Sequence, residues 1–214
     1  MRNVLSKIAS LFDPLGFISP IVIRAKITMQ DIWASGLSLD EPLSNEIENK
    51  VKYWLADLDE LSKIKVERCL QPINDGRVAL HVFVDTSEDA YAAVVYLCCK
   101  KDDTCTIRLV ASKTKVAPLK TMSIPRLELM ATVLGLKLVK SIANFLDYDL
   151  KNAIFWSDSM TAICWIRGRS RAFKTFVANR VGYIQEHTNP NQWRHVPTKL
   201  NPTDVASRGT VCKA

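Results

Sequence analysis

No unbroken apolar run in the 214 residues approaches the roughly 18 that a membrane-crossing helix needs. The most apolar early stretch, "LFDPLGFISPIVIRAK", is cut by Asp13, Pro14, Gly16 and Pro20. Met1 is followed by an amphipathic stretch and not by an apolar core, so no secretory leader is expected. The expected setting is intracellular, cytoplasmic or nuclear, with no membrane partner. Cys-x-x-Cys is absent, and His81, His187 and His195 have no ligand spacing, which leaves little basis for a structural zinc. The six cysteines are therefore expected to be reduced, mostly core thiols. Cys98 and Cys99 are adjacent and would face opposite sides of a strand. Acid is scarce late in the chain, with 2 acidic against 9 basic residues from position 159 onward.

The formal net charge of +7 is thus unevenly spread. Residues 1–70 hold 9 Lys/Arg against 10 Asp/Glu, and residues 71–214 hold 20 against 12. A basic half is the footprint expected of a protein that binds phosphates, although charge alone does not decide it. With 48% hydrophobic residues, a packed core is expected and disorder is not.

Periodicity divides the chain at about residue 70. Before it, "RNVLSKIASLF" puts Val4, Leu5, Ile8, Leu11 and Phe12 on one helical face. "IVIRAKITMQDIW" carries Ile23, Ile27 and Ile32 or Trp33 on a stripe, and Ser44 is a natural cap for "NEIENKVKYWLADLDEL". Residues 1–70 are expected to form a small helical module that packs on something else, with a surface upstream of this chain as one candidate. After residue 77 the pattern becomes strand-like. "RVALHVFVD", "DAYAAVVYLCC" and "CTIRLVASK" read as a three-stranded meander. A long helix follows from Ser123 as cap through "IPRLELMATVLGLKLVKSIANFL", with Pro125 in its first turn. "NAIFWSD" is a short buried strand, "SMTAICWIRG" a helix ending at Gly168, and roughly 173–187 another helix. A strand near "QWRHV" and a last short helix, with Asn201 as cap and Pro202 at its first position, complete an α/β domain on one sheet.

Four acids fall at suggestive places in this order: Asp85 ends the first strand, Glu128 lies early in the long helix, Asp158 ends the fourth strand and Asp204 opens the last helix. If the first and fourth strands are neighbours, these carboxylates meet on one rim. Clustered carboxylates raise one another's pKa values, and a divalent cation removes that cost. Hard oxygen donors favour magnesium, and a pair of ions can stabilise the attacking and leaving oxygens of a phosphoryl displacement. Each acid also has a plainer reading: a turn opener (Asp85), a solvated helix residue (Glu128), a cap (Asp158) and a helix-start acid (Asp204).

The stretches "FVDTSEDAYAAVVY", "IPRLELMA", "FWSDSM" and "VPTKLNPTDVASRG" resemble, in order, the four motifs of retroelement ribonucleases H. The resemblance implies a ribonuclease H-like mixed sheet flanked by helices, preceded by a thumb- or connection-like helical module over 1–70, with the ribonuclease H-like domain over 71–214. It implies Asp85, Glu128, Asp158 and Asp204 as ligands of two magnesium ions, with manganese as a substitute, and an RNA–DNA hybrid as substrate. "IASLFDPLGFISPIVIRAKITMQDIW", "KVAPLKTMSIPRLEL", "KTFVANRVGYIQE" and "WRHVPTKLNPTDVASRG" are similar to the Pol polyprotein of BEL/Pao retrotransposons. The implied partners are the rest of that polyprotein, with a polymerase palm upstream and an integrase downstream. The chain stops just after "SRG", as expected of a piece of a longer polyprotein or of a decayed copy. No paired-aspartate polymerase motif is present, so DNA synthesis is not expected.

Two departures from the family pattern matter. The loop Thr198-Lys199-Leu200 has no histidine before the last aspartate, which leaves Lys199 as a stand-in, since His195 lies earlier on the strand. Only 46 positions separate Asp158 from Asp204, leaving little room for a separate basic helix, so Arg167, Arg169, Arg171 and Lys174 are the candidates for gripping substrate. Lys113, Lys115 and Arg126 are next in line. The same region also bears the label of a Pao retrotransposon peptidase. An aspartic peptidase needs Gly after Asp-Thr and a second matching loop. Asp85-Thr86 is followed by Ser87 and Glu88, and no second such loop occurs. The principal rival is a non-catalytic nucleic-acid-binding or connection domain. A transposase or integrase of similar architecture would place its glutamate last.

Overall fold

The computed structural model describes residues 2–36, 41–66, 69–70 and 77–210. Three helices come first: α1 (Arg2–Ala9), α2 (Ser19–Ala34) and α3 (Asn45–Glu60). The meander follows as β1 (Arg77–Thr86), β2 (Ala90–Lys101) and β3 (Thr104–Val116). Then come α4 (Ile124–Leu146), β4 (Ile154–Ser157), α5 (Met160–Arg167), α6 (Thr175–His187), β5 (Trp193–His195) and α7 (Asp204–Arg208). The strands form one sheet in the order β3-β2-β1-β4-β5. The β1/β2 and β2/β3 pairs are antiparallel, whereas β1/β4 and β4/β5 are parallel. The sequence pattern predicts the α/β class on one sheet, and the mixed sheet flanked by helices is what the resemblance implies.

The two faces of the sheet are covered differently. On one, Leu80, Val82 and Val84 of β1 and Ala93, Val95 and Leu97 of β2 pack under Leu127, Ala131, Leu134 and Leu136 of α4. Gly135 permits this approach, because a Cβ there would stand 2.6 Å from Val84 Cγ1. By length and apolar content α4 also qualifies as a membrane span, contrary to the expectation from unbroken apolar runs. Its buried stripe is instead spent on the sheet. On the other face, Ala206 of α7 packs on Ala92 and Val94.

The helical segment docks on this second face. Trp54 Nε1 donates to the Ile21 carbonyl at 3.0 Å, closing α3 onto α2 around Ile21 and Ala25. The pair then hangs on β3: Ser112 N donates to the Leu15 carbonyl at 2.7 Å, Ser112 Oγ to the Gly16 carbonyl at 2.5 Å, and Gln30 Nε2 to the Ala117 carbonyl at 2.7 Å. The surface expected to receive this module is therefore within the chain. The proposed boundary at 70/71 abuts residues 71–76, which lie outside the described ones, as does Cys212.

Some local expectations are corrected. α1 stops at Ala9, so Leu11 and Phe12 lie beyond it and Phe12 is 89% exposed. Ile32 is buried while Trp33 points outward. Ser44 does cap α3 by accepting from Ile47 N, but the Ser123 side chain makes no such bond at α4. Asn201 is not the cap of α7, which begins at Asp204 after Thr203.

Gly16 sits at φ +74°, and a Cβ there would lie 2.0 Å from the Ser112 carbonyl oxygen. Gly16→Ala is expected to cost about 2–4 kcal/mol, combining left-handed backbone strain with a backbone clash. Thermal unfolding checks this, and Ser112→Ala, which removes one hydrogen bond, should cost about 1 kcal/mol.

Candidate active site

The parallel register of β1 and β4 sets two of the four acids. Val84 lies beside Ser157, so the next residues, Asp85 and Asp158, emerge together at the carboxyl ends of the central strands. Asp85 is only 6% exposed. Its carboxylate accepts a hydrogen bond from Ser207 Oγ of α7. Burial drives its pKa up from 3.8 to about 6; Asp158 and Asp204 push in the same direction and the Ser207 bond opposes them. Asn201 braces the strand end from the other side: its Nδ2 donates to the Val84 carbonyl at 3.0 Å while its Oδ1 accepts from Thr203 N. Asn201 therefore fixes the loop that delivers Asp204 to the rim.

Glu128 reaches the same rim from the first turns of α4, which starts beyond the turn at Ser123 with Pro125 in its first positions. Ser159 Oγ donates to Glu128 Oε2 and also accepts from Ala162 N, so Ser159, not Asp158, is the cap of α5. Burial raises the Glu128 pKa, and the nearby Asp158 charge adds to it. Asp158 Oδ2 accepts from Thr198 Oγ1 at 2.8 Å. Asp204 Oδ1 is paired with Arg208 Nε at 2.5 Å. The Arg208 guanidinium also feels Asp85 and Asp158, and its pKa is raised, by Asp204 first.

The four acids therefore share one rim and one electrostatic field. Each engages a side-chain donor, Ser207, Ser159, Thr198 or Arg208, and Asp85 also takes a hydrogen bond from the Thr86 backbone. Among the described residues no three His, Cys, Asp or Glu side chains stand close enough to hold a metal ion. The chemistry of the donors nevertheless fits a hard divalent cation. They are carboxylates, two of them have raised pKa values, and the one cation among their partners, Arg208, is attracted to three of the four. Joint coordination would require the side chains to turn from their present partners.

The basic candidates lie along the adjoining segment. Arg167 Nη2 donates to the Trp193 carbonyl at 3.2 Å. Gln185 Nε2 donates to the Ile166 and Gly168 carbonyls, which fixes the turn out of α5. Arg169, Arg171 and Lys174 are exposed and make no salt bridge among the described residues. Lys199 is exposed in a 3₁₀ turn, Thr198–Leu200, and His195 is exposed on β5.

A second basic group was not singled out from the sequence apart from Arg126. Arg126 and Arg180 both lie over the Phe176 ring, at 5.3 and 3.5 Å from its centroid, and Lys137 and Lys140 approach Tyr183. The pairing joins α4 to α6 across about fifty residues of sequence, and helical spacing within either helix does not reveal it.

The family model described as "Pao retrotransposon-like RNaseH-like domain" matches residues 1–159. No curated protein sequence matches. Among solved structures, the N-terminal RNase H domain of Mycobacterium tuberculosis Rv2228c, solved as a fusion with maltose-binding protein, is 16% identical, covering 62% of this chain and 94% of that one at a TM-score of 0.43. LC11-RNase H1 in complex with an RNA/DNA hybrid is 9% identical, covering 59% and 89% at 0.39. The foamy viral protease-reverse transcriptase bound to dsDNA is 9% identical, covering 92% of this chain and 42% of that one at 0.43.

Proposed function

The chain belongs to the Pao retrotransposon-like RNaseH-like domain family, and from that membership we propose that it is a ribonuclease H-type endonuclease cutting the RNA strand of an RNA–DNA hybrid. The observation that carries the reading is the shared rim of Asp85, Glu128, Asp158 and Asp204, in which burial and mutual repulsion hold two carboxyls above their ordinary pKa values. Such a rim is costly without a cation. These four acids would hold magnesium, or manganese in its place. Bound there, the ions would supply charge neutralisation and a template for in-line phosphoryl displacement.

The chain's own residues do the positioning. Ser207 and Ser159 orient Asp85 and Glu128, Thr198 orients Asp158, and Asn201 sets the distance between the β1 end and α7. Arg167, Arg169, Arg171, Lys174 and Lys199 would take phosphates on one side of the rim. Arg126 and Arg180, stiffened against Phe176, offer a further set. In this reading the chain works as part of a longer, intracellular polyprotein with a polymerase upstream and an integrase downstream.

The direct test is cleavage of a hybrid labelled on the RNA strand. Magnesium-dependent cutting of hybrid RNA, with the DNA strand left whole, is the expected result. A second reading is favoured by one observation: each carboxylate already has a donor and no three are within metal-binding reach. In that reading the chain binds nucleic acid without cutting it. Hybrid binding with no cleavage in magnesium or manganese would select it.

Substrate grip has its own signature. Each phosphate contact releases counterions, so the logarithm of affinity falls with the logarithm of salt by about 0.9 per contact on duplex DNA. Replacing Arg169 and Arg171 by Ala should flatten that slope by about one to two units and weaken all sequences alike. An unchanged slope would move the grip to Arg126 and Arg180.

A further inference from the structure

Five free cysteines lie among the described residues, and two of them touch. Cys98 Sγ and Cys105 Sγ stand 3.3 Å apart on neighbouring strands. In the register Cys98 lies opposite Ile107 and Cys105 opposite Lys100, so the two cysteines are diagonal neighbours on one face of the sheet. They flank the turn from β2 to β3, where Asp102 is held at φ +50° and Thr104 Oγ1 donates to the Lys101 carbonyl. β3 is an edge strand, and its pairing with β2 is interrupted by a bulge at Val95/Tyr96. Beyond the bulge β2 is still paired with β1 as far as Lys100 and buries Leu97 and Cys99, whereas β3 has β2 as its one strand neighbour.

Cys99 is excluded as a partner for either. It points to the opposite face, is fully buried and has its thiol toward the Leu70 carbonyl at 3.9 Å. Cys105 is exposed and Cys98 half-buried, so a soluble oxidant meets Cys105 first.

We propose that Cys98 and Cys105 form a reversible thiol–disulfide pair that clamps the β2–β3 hairpin at the sheet edge. The oxidant class is a low-molecular-weight disulfide such as glutathione disulfide. The Cys105 thiolate attacks one of its sulfurs, giving a mixed disulfide and one glutathione. Cys98 Sγ then attacks the Cys105 sulfur and displaces the second glutathione. Two protein thiols are oxidised, one disulfide is reduced to two thiols, and the protons pass to the leaving thiolates. The sulfurs already stand 3.3 Å apart, so forming a bond of about 2 Å requires them to close by little more than 1 Å. Asp85 lies opposite Ala92, six residues along β2 from Cys98, so the clamp sits roughly 20 Å from the carboxylate rim.

The test uses the whole chain, incubated with excess glutathione disulfide, alkylated and mapped by mass spectrometry. The expected product has lost two hydrogens, carries a Cys98–Cys105 linked peptide and returns to the dithiol on treatment with a reductant. Hydrogen exchange of residues 104–110 should slow about tenfold or more on oxidation, because opening the edge would now strain a covalent ring. Cys98→Ser should trap glutathione on Cys105. Hybrid binding should be unchanged, since the sites are remote and share no partner. Stable glutathione on both cysteines of the parent chain, a link to another cysteine, or a disulfide between two chains would overturn the pairing. Unchanged exchange in 104–110 after the link has formed would overturn the clamp.

Discussion

Asp158→Asn is expected to lower cleavage of hybrid RNA by more than a hundredfold while leaving the fold intact. Loss of partners one layer beyond a metal's ligands already costs about 10–100-fold, and a ligand itself should cost more. The fold should survive because the substitution keeps the shape of the side chain. The amide oxygen can still accept from Thr198 Oγ1, and Ser159, not residue 158, caps α5. Thr198→Ala is the matched control: it frees the carboxylate without removing it and should fall less. Parent-like cleavage by Asp158→Asn, with unchanged thermal unfolding, would remove Asp158 from the chemistry. In that event the peptidase reading regains no ground unless peptide cleavage appears in acid and survives a chelator. Thr86 simply completes β1, without the glycine turn such a dyad needs.

Much of this rim was legible in the sequence, because it is built from regular elements. β1 and β4 announce themselves as short apolar runs, each followed by an aspartate, and the parallel register that joins Val84 to Ser157 leaves those aspartates side by side. α4 was legible for a similar reason: its stripe from Leu127 to Ala143 repeats at helical spacing within a helix of 23 residues. The hydroxyl donors were harder to see. Ser159 and Thr198 are short polar residues at a helix start and in a turn, where local capping explains their presence equally well, and Ser207 is one small residue near the end of a short helix. Only the assembled fold brings Ser207 to Asp85 across 122 positions. Asn201 illustrates the ambiguity, since its place before Pro202 reads as a helix cap while its side chain serves the carbonyl of a distant strand. The docking of residues 1–70 was hidden for another reason. It runs through the backbone carbonyls of Leu15 and Gly16, and a carbonyl has no residue-type signature.

Asp85→Asn should separate the cost of the rim from its use. In the folded chain Asp85 keeps its proton up to about pH 6, against an ordinary value of 3.8. Between those values the folded state holds more protons than the unfolded one. Stability therefore falls as pH rises through that window and levels off above it. The raised pKa corresponds to a penalty of about 3 kcal/mol at neutral pH in the absence of divalent cation. A neutral amide at position 85 avoids that penalty and can still accept from Ser207. In a chelator at pH 7.5, Asp85→Asn is expected to melt about 6–12 °C above the parent, and at pH 4 the difference should nearly vanish. Magnesium should then raise the melting temperature of the parent chain and leave that of the variant almost unmoved, while hybrid cleavage by the variant is lost. A variant less stable than the parent at both pH values would show that the Asp85 carboxylate is chiefly the structural partner of Ser207. A variant that gains as much from magnesium as the parent would place the cation elsewhere on the chain.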